Sequence, residues 1–414
     1  MLRNIIIAVF GFVCAPALAA SPFFEESDVD VLYSAFSEQP GDGFGWVAED
    51  LGDIDGDGAS DFIVSAPFLT IDGGLRGRIY IHSGADGSVL ATHTGQAPIE
   101  LLGYSASLAG DLDGDGVNDY VAGSLFRVVA WSGADHSMLW ERFGTILPGF
   151  GFDVDVAGDL DGDGFDDVIV GESWNFDDES AGAVHAFSGA NGSTIWTREG
   201  QEPGNRMGSA VGRLGDVDSD GVPDVVAGER AGGLKDRGLA YALSGVDGSV
   251  IHTMRPVGEA ATTSPASTFA TFHAAGGGDV DGDGIGDIFI GDFAAFRDGP
   301  RTGRAYLYSG RDGHRLGVIN AENVGDGVGP GRIIPDVDGD GRADVYVAAF
   351  RFGANQEGKA WVRAGRGGII RTMTGTEPGA FLGIDALSLD DVNDDGRTDF
   401  LLTGNGVIHI IAGN

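Results

Sequence analysis

Cysteine is nearly missing from this chain. The single one, Cys14, lies inside an N-terminal apolar stretch. The remainder therefore has no disulfide framework, no thiolate zinc site and no cysteine nucleophile. Cations are scarce as well: 25 Lys and Arg stand against 63 Asp and Glu, for a formal net charge of −38. Such a balance repels phosphate, which excludes nucleic acid and anionic lipid as partners. No apolar run reaches the roughly 18 residues of a membrane-spanning helix, so no membrane span is expected. Helix-length periodicity is missing too. With 72 glycines, about one residue in six, and a cost of about 1 kcal/mol per glycine in a helix relative to alanine, a helical bundle is excluded. The glycines do not recur every third residue, which excludes collagen. Disorder is excluded by 42% hydrophobic and 9% aromatic residues, enough apolar surface to offset chain entropy.

Residues 1–20 read as a signal peptide. Arg3 supplies the positive region, Ile5 to Ala15 the apolar core, and Ala17-Leu18-Ala19 the small-residue cleavage signal, with cutting after Ala19 or Ala20. Val13 stands before Cys14 where a lipidation signal wants a small residue, so lipidation is not expected. The product is expected to be exported, to a periplasm or the exterior, with residues 21–414 forming one domain.

An internal repeat organises everything that follows. The string D-x-[DN]-x-D-G-x-x-D occurs seven times, with first-Asp spacings of 58, 48, 57, 63, 57 and 55 residues. Eight residues before the first Asp stands a glycine preceded by an apolar residue: Phe44-Gly45, Leu102-Gly103, Phe150-Gly151, Met207-Gly208 and Leu382-Gly383. The fifth and sixth units depart, offering Ala270-Thr271 and Gly327-Val328 at that spacing. After the last Asp comes a β-rich run such as FIVSAP or VIVGE. A second strand follows and ends in a turn of the SGADG or SGANG kind, a strong hairpin signal. Each unit thus holds about four short strands, and seven such units read as an all-β, seven-bladed β-propeller of four-stranded antiparallel blades. The repeat phase at the two termini places a strand at Val29 to Phe36 beside Val407 to Ile411. The N-terminal strand is therefore expected to supply the outer strand of the last blade and so close the ring.

The aspartates are spaced for a metal. Carboxylates at loop positions 1, 3 and 5, glycine at 6 and a fourth side chain at 9 form the front half of an oxygen-only cage suited to Ca²⁺ rather than to Zn²⁺ or Mg²⁺. The expected ligands are Asp53, Asp55, Asp57 and Asp61; Asp111, Asp113, Asp115 and Asp119; Asp159, Asp161, Asp163 and Asp167. The later copies offer Asp216, Asp218, Asp220 and Asp224; Asp279, Asp281, Asp283 and Asp287; Asp336, Asp338, Asp340 and Asp344; and Asp391, Asn393, Asp395 and Asp399. Position 12, where an EF-hand carries a bidentate Glu, is apolar in every copy, from Val64 to Leu402, so each loop is expected to run into a buried strand. Up to seven structural Ca²⁺ ions are expected. Ser219 replaces a loop glycine in the fourth copy at a non-ligand position. The opposing reading is that Asp and Gly are simply good turn formers.

The order of these strings, FG, then DxDxDGxxD, then a GAP-like tripeptide (Ser65-Ala66-Pro67), then SGxDG, resembles the FG-GAP repeats of the integrin α-subunit propeller. The resemblance covers roughly residues 29–413. It implies that the Ca²⁺ loops join the first and second strands of each blade on a lower face. The connections between strands two and three, and those between blades, would form an upper face where the family engages partners. No DxSxS string of the inserted ligand-binding domain occurs, so animal-type cell adhesion is not expected to carry over.

No catalytic constellation stands out. The eight histidines are scattered; His82, His185 and His409 lie in the same strand type near its end and read as surface or core positions rather than ligands. Trp140 and Trp196 share a repeat position, which also reads as packing. From the first Asp to the Ser or Ala of the turn takes 30, 21, 29, 28, 30, 28 and 21 residues, so blades two and seven lack the excursion between strands two and three. The longer excursions carry Phe68, Trp174, Phe176, Phe293, Phe296, Phe350 and Phe352, with Arg76, Lys235, Arg237, Arg297, Arg301, Arg304 and Arg351 beside them. Such a surface suits a protein or carbohydrate partner; the same aromatics could instead pack onto their own blades. The expected function is an exported, calcium-stabilised binding or adhesion-type module. The alternatives are a calcium-dependent, lyase-like polysaccharide-active enzyme on the same propeller, or an envelope scaffold.

Overall fold

Runs rich in Val, Ile, Phe and Tyr, each cut off by an Asp- and Gly-rich turn, leave the chain little choice but short antiparallel strands. The computed structural model describes residues 23–144, 149–173, 180–232, 238–256, 268–295 and 302–413. The expected leader 1–20, Cys14, Trp174, Phe176, Lys235, Arg237, Phe296, Arg297 and Arg301 lie outside the described residues, as do positions 21, 22 and 414. Among the described residues there are 30 strands in seven sheets and no helix. The fold is a seven-bladed propeller of four-stranded antiparallel blades.

The third blade shows the plan. Phe150–Gly158 is its first strand, Asp167–Glu172 its second, Ala183–Phe187 its third and Thr194–Glu199 its fourth, hydrogen-bonded in that order. The second strands, such as Asp61–Ala66 and Asp344–Ala349, are buried along their whole length. The fourth are half exposed. In the first blade a short hairpin strand, Thr70–Ile71, and a parallel strand, Ile99–Leu102, are added to the third strand, Gly74–His82. The seventh sheet runs from Ala386–Leu389 through Asp399–Gly404 and Val407–Ile411 to Val31–Phe36. Val31 pairs with Ile411 and Phe36 with Val407, antiparallel, which is the pairing expected from the repeat phase.

The cores lie between neighbouring blades. One cluster joins Phe44, Phe62, Val64 and Tyr80 of the first blade to Leu401, Ile408, Ile410 and Tyr33 of the seventh. Another joins Ile169, Val184 and Trp196 of the third to Val225 and Tyr241 of the fourth. Polar tips latch the same seams. Trp140 and Trp196 donate Nε1–H to the carbonyls of Gly189 and Gly245 in the next blade's turn, both at 2.6 Å, and the Tyr33 hydroxyl donates to Gly84 O at 2.9 Å. The repeated Trp position is therefore a packing position, as expected.

The glycine motif of blades five and six stands one residue away from its expected place. In blade one the Gly45 N–H donates to the carbonyl of Ser65, four residues past the last loop Asp; in blade five Ala270 N–H makes the equivalent bond to Gly291 O. Phe269 then matches Phe44, and each ring meets a third-strand tyrosine edge-on, Tyr306 at 5.3 Å and Tyr80 at 5.5 Å. Blade five thus uses Phe269-Ala270, with Ala270 at φ 53° where glycine stands elsewhere. In blade six Val328 pairs with Ala349 as Met207 pairs with Glu229, so the motif there is Val328-Gly329. A fixed spacing from the loop missed both because blade five carries one residue more, and blade six one fewer, between motif and loop.

Candidate functional sites: the aspartate loops and the axial cavity

All seven aspartate loops connect the first strand of a blade to the second, so antiparallel topology puts them at one end of the molecule. The position-9 carboxylate anchors each. Asp61, Asp119, Asp167, Asp224, Asp287, Asp344 and Asp399 have no exposed surface. In the third loop, Asp167 Oδ2 accepts the Leu160 N–H at 2.7 Å, and its Oδ1 accepts the Gly189 N–H of the strand three–four turn at 2.9 Å. The same two bonds recur in the seventh loop, where Val392 and Gly413 donate to Asp399 at 3.0 and 2.7 Å. Position 1 holds the turn: Asp159 accepts the N–H groups of Gly162, Asp163 and Gly164 at 2.7, 3.1 and 3.0 Å. Carboxylate oxygens of Asp53, Asp55 and Asp57, of Asp111, Asp113 and Asp115, of Asp159, Asp161 and Asp167, of Asp216, Asp218 and Asp224, and of Asp279, Asp281 and Asp287 lie within 4.8 Å of one another in each set.

That crowding has an electrostatic consequence. Burial, with neighbouring carboxylates adding to it, pushes the carboxyls of Asp61, Asp119, Asp167, Asp224, Asp287 and Asp399 up to about 6. The Asp344 carboxyl is raised by the same cause. A cation at the loop would reverse this. Asn393 adds a second sign: its Oδ1 is buried without a hydrogen-bond partner, an orphaned acceptor inside the seventh loop. The residues present fit a hard, oxygen-seeking divalent cation.

Position 4 takes φ near 80°, a region open to glycine, as in Gly162 at 78°. Ser219 and Asp394 occupy it at 67° and 61°, and a side chain there costs about 1–2 kcal/mol. Ser219→Gly is expected to raise stability by about 1 kcal/mol, visible as a higher midpoint in urea; an unchanged or lower midpoint would show that the serine is unstrained.

The loops are not equivalent. In the first and third blades the turn serine reaches the position-5 aspartate, with Ser83 Oγ 3.2 Å from Asp57 Oδ2 and Ser188 Oγ 3.5 Å from Asp163 Oδ2. In blade five an arginine does so. Arg311 Nε donates to Asp283 Oδ2 at 2.5 Å and its Nη2 to Asp283 O at 2.6 Å, while Ser309 Oγ is left without a partner. Arg366 repeats the contact in blade six, 3.1 Å from Asp340 Oδ2.

At the opposite end lie the connections between strands two and three. They are shortest in blades two and seven, where the second strand ends at Gly123 or Gly404 and the third begins at Arg127 or Val407, as expected. Phe68 is half-buried and meets Trp46 edge-on at 5.4 Å. Phe293 packs on Phe350 at 5.9 Å, Lys359 Nζ sits 4.6 Å over the Phe352 ring, and Arg351 lies over Phe381 at 5.9 Å. Arg76 donates to the Ile71 and Gln96 carbonyls, and Arg304 pairs in register with Asn320. These aromatics therefore serve packing as well as surface. His82 and His409 are buried, and His185 Nε2 is 3.0 Å from Glu172.

Residues from all seven blades enclose a cavity of about 460 Å³ on the propeller axis. Its end remote from the loops is aromatic. Phe152 stacks on Phe272 at 5.2 Å, and Tyr104 and Trp46 complete the cluster. Its waist is charged. Arg332 donates to Glu49 Oε2 at 2.5 Å and to Asp385 Oδ1 at 3.0 Å. Asp155 accepts from Ser107 Oγ at 2.8 Å and from the Arg213 main chain at 3.0 Å. Asp153 accepts only main-chain N–H groups, from Val211 at 2.8 Å and Val154 at 3.2 Å. Burial raises the Asp153 carboxyl well above its ordinary range, raises that of Glu49, and lowers His273 to about 4. None of these groups was singled out from the sequence. The available signal was phase: Glu49, Asp155 and Arg332 each stand four residues before a loop's first Asp, and Asp153, His273 and Asp385 six before. Charge at those places interrupts otherwise small or apolar first strands.

Known proteins resemble the chain at several levels. A family model described as FG-GAP repeat matches residues 150–187. Integrin alpha-V of Gallus gallus is 29% identical over 281 residues, covering 63% of this chain and 26% of that protein. Integrin alpha-5 of Xenopus laevis is 29% identical over 246 residues, covering 59% and 19%. The chain thus spans about a quarter or less of the curated relatives it matches. Among solved structures, BamB from Moraxella catarrhalis covers 92% of this chain and 99% of its own at 13% identity, with a TM-score of 0.48.

Proposed function

We propose, from the premise that this chain belongs to the FG-GAP-repeat β-propellers, that it is an exported calcium-binding module that engages a protein or carbohydrate ligand. The ligand would lie on the face opposite the aspartate loops, and the ions would be structural. One observation carries the reading: the acidic loops keep one length and one backbone hydrogen-bond plan at one end of every blade, while the connections at the other end vary in length. A constant, buried anchor suits structure, and a variable rim suits recognition. When bound, Ca²⁺ supplies the positive charge that lets carboxylates at positions 1, 3, 5 and 9 converge. Asp167 and its equivalents meanwhile tie the loop to the strand three–four turn. No helix among the described residues is long and apolar enough to cross a membrane. The charged axial cavity supports the second reading, a calcium-dependent polysaccharide-active enzyme.

A screen of glycans and extracellular proteins in Ca²⁺ and in chelator, scored for both binding and cleavage, tests the proposal. Saturable, calcium-dependent binding without cleavage supports it; depolymerisation would replace it with the enzyme. Within the loops, Arg311 and Arg366 compete with the ion for Asp283 and Asp340. Replacing both with Ala should tighten calcium binding at two of the sites by a factor on the order of 5, since a unit charge about 4 Å away in water is worth about 1 kcal/mol. Calorimetric titration reads this directly, and unchanged affinity would mean that the arginines lie outside the field of the ion.

A further inference from the structure

The loops and the opposite rim leave the axial cavity without a role, and its charges do not balance. Among the described residues four carboxylates face it, Glu49, Asp153, Asp155 and Asp385, against one interior guanidinium, Arg332, already shared by Glu49 and Asp385. Arg213 is exposed and presents its main chain to Asp155. His273, on the same wall, is held neutral by burial, so it supplies no positive charge. Asp153 is the least compensated of the four, with two main-chain N–H groups and no cationic partner among the described residues. A carboxylate in that position either takes up a proton or acquires a cation.

The walls say which kind of cation. A bare divalent ion wants oxygen on every side, whereas the cavity near Asp153 is lined by the rings of Trp46, Tyr104, Phe152 and Phe272. Aromatic faces attract ammonium groups and cover hydrocarbon. A volume of about 460 Å³ lies within the roughly 300–1,000 Å³ of small-molecule sites. We propose that the axial cavity is a binding site for a small organic cation, an alkylamine or short oligoamine, with its ammonium at Asp153 and Asp155 and its methylenes beneath the Trp46–Tyr104–Phe152–Phe272 cluster. This site is separate from the aspartate loops and from any ligand on the outer rim.

The test uses the full chain at saturating Ca²⁺, so that amines do not compete for empty loops. 1,4-Diaminobutane and spermidine are titrated in, with 1,4-butanediol as the neutral counterpart, and read by calorimetry and by tryptophan fluorescence. The expected result is a single saturable site for the amines, a fluorescence change that disappears in Trp46→Phe, and no binding of the diol. Asp153→Asn, which removes charge but not volume, should weaken amine binding at least tenfold with the melting curve unchanged. If that variant proves unstable, Asp155→Asn must show the same loss. Equal binding by the Asp153→Asn protein, equal binding of the diol, or only non-saturable amine uptake would each overturn the assignment.

Discussion

Withdrawing calcium with a chelator is expected to lower the melting temperature more than any single substitution in the chain, and Ca²⁺ is expected to restore it more fully than Mg²⁺. Extracellular calcium modules commonly bind at about 10⁻⁴ to 10⁻³ M. With free ion at ten times the dissociation constant, each site adds about 1.4 kcal/mol. Seven independent sites would contribute roughly 10 kcal/mol, against the roughly 5–15 kcal/mol of net stability usual for a whole domain. The effect spreads over the molecule because every loop links a first strand to a second and, through its buried position-9 aspartate, to a turn of the same blade. Calcium-free loops keep their turn hydrogen bonds but leave like charges within 4.8 Å of one another. Asp163→Ala should by contrast weaken one blade and leave the fold intact. Scanning calorimetry of protein shown to be metal-free decides the matter: a transition indifferent to Ca²⁺ would reduce the loops to turns.

Deleting residues up to Phe36 is expected to be the most damaging change to the chain itself. The seventh sheet would lose its outer strand, exposing the edge of Val407–Ile411, and with it the buried side chains of Phe24, Val29, Tyr33 and Ala35. At about 1.5–3 kcal/mol for each large apolar side chain, the loss is on the order of 5–8 kcal/mol before the strand's hydrogen bonds are counted. The Tyr33 hydroxyl bond to Gly84 of the first blade would go as well, so two neighbouring blades are affected. Because this strand covers the edge of Val407–Ile411, the truncated protein is expected to melt early or to aggregate through its open edge. A synthetic peptide of residues 23–36 added in trans should restore part of the transition. A truncated protein with the melting curve of the full chain would show that the ring does not depend on this strand.

The repeat made most of the architecture legible, because its signals are local. Asp-rich loops, D-G and N-G turns and β-branched runs form bonds over a few residues, as Asp159 does with Gly162, Asp163 and Gly164. Strand number, the short connections of blades two and seven, and the phase of the terminal strand followed from them. The Phe269-Ala270 and Val328-Gly329 motifs escaped because a fixed spacing cannot absorb one residue gained or lost, whereas a hydrogen bond such as Ala270 N–H to Gly291 O identifies the position whatever its number. Phe68, Phe293, Phe350 and Phe352 stood open between surface and packing until their ring neighbours were known.

By itself, then, the sequence determined seven four-stranded units, the aspartate loops that join their first strands to their second, and the pairing of Val31–Phe36 with Val407–Ile411, since each rests on spacing along the chain. Only the tertiary structure decided the axial cavity. Glu49, Asp153, His273, Arg332 and Asp385 come from five blades, far apart along the chain, and none carries a motif. Their chemistry arises where seven first strands converge, because an effect such as the raised Asp153 carboxyl depends on burial and on charges that only folding brings together.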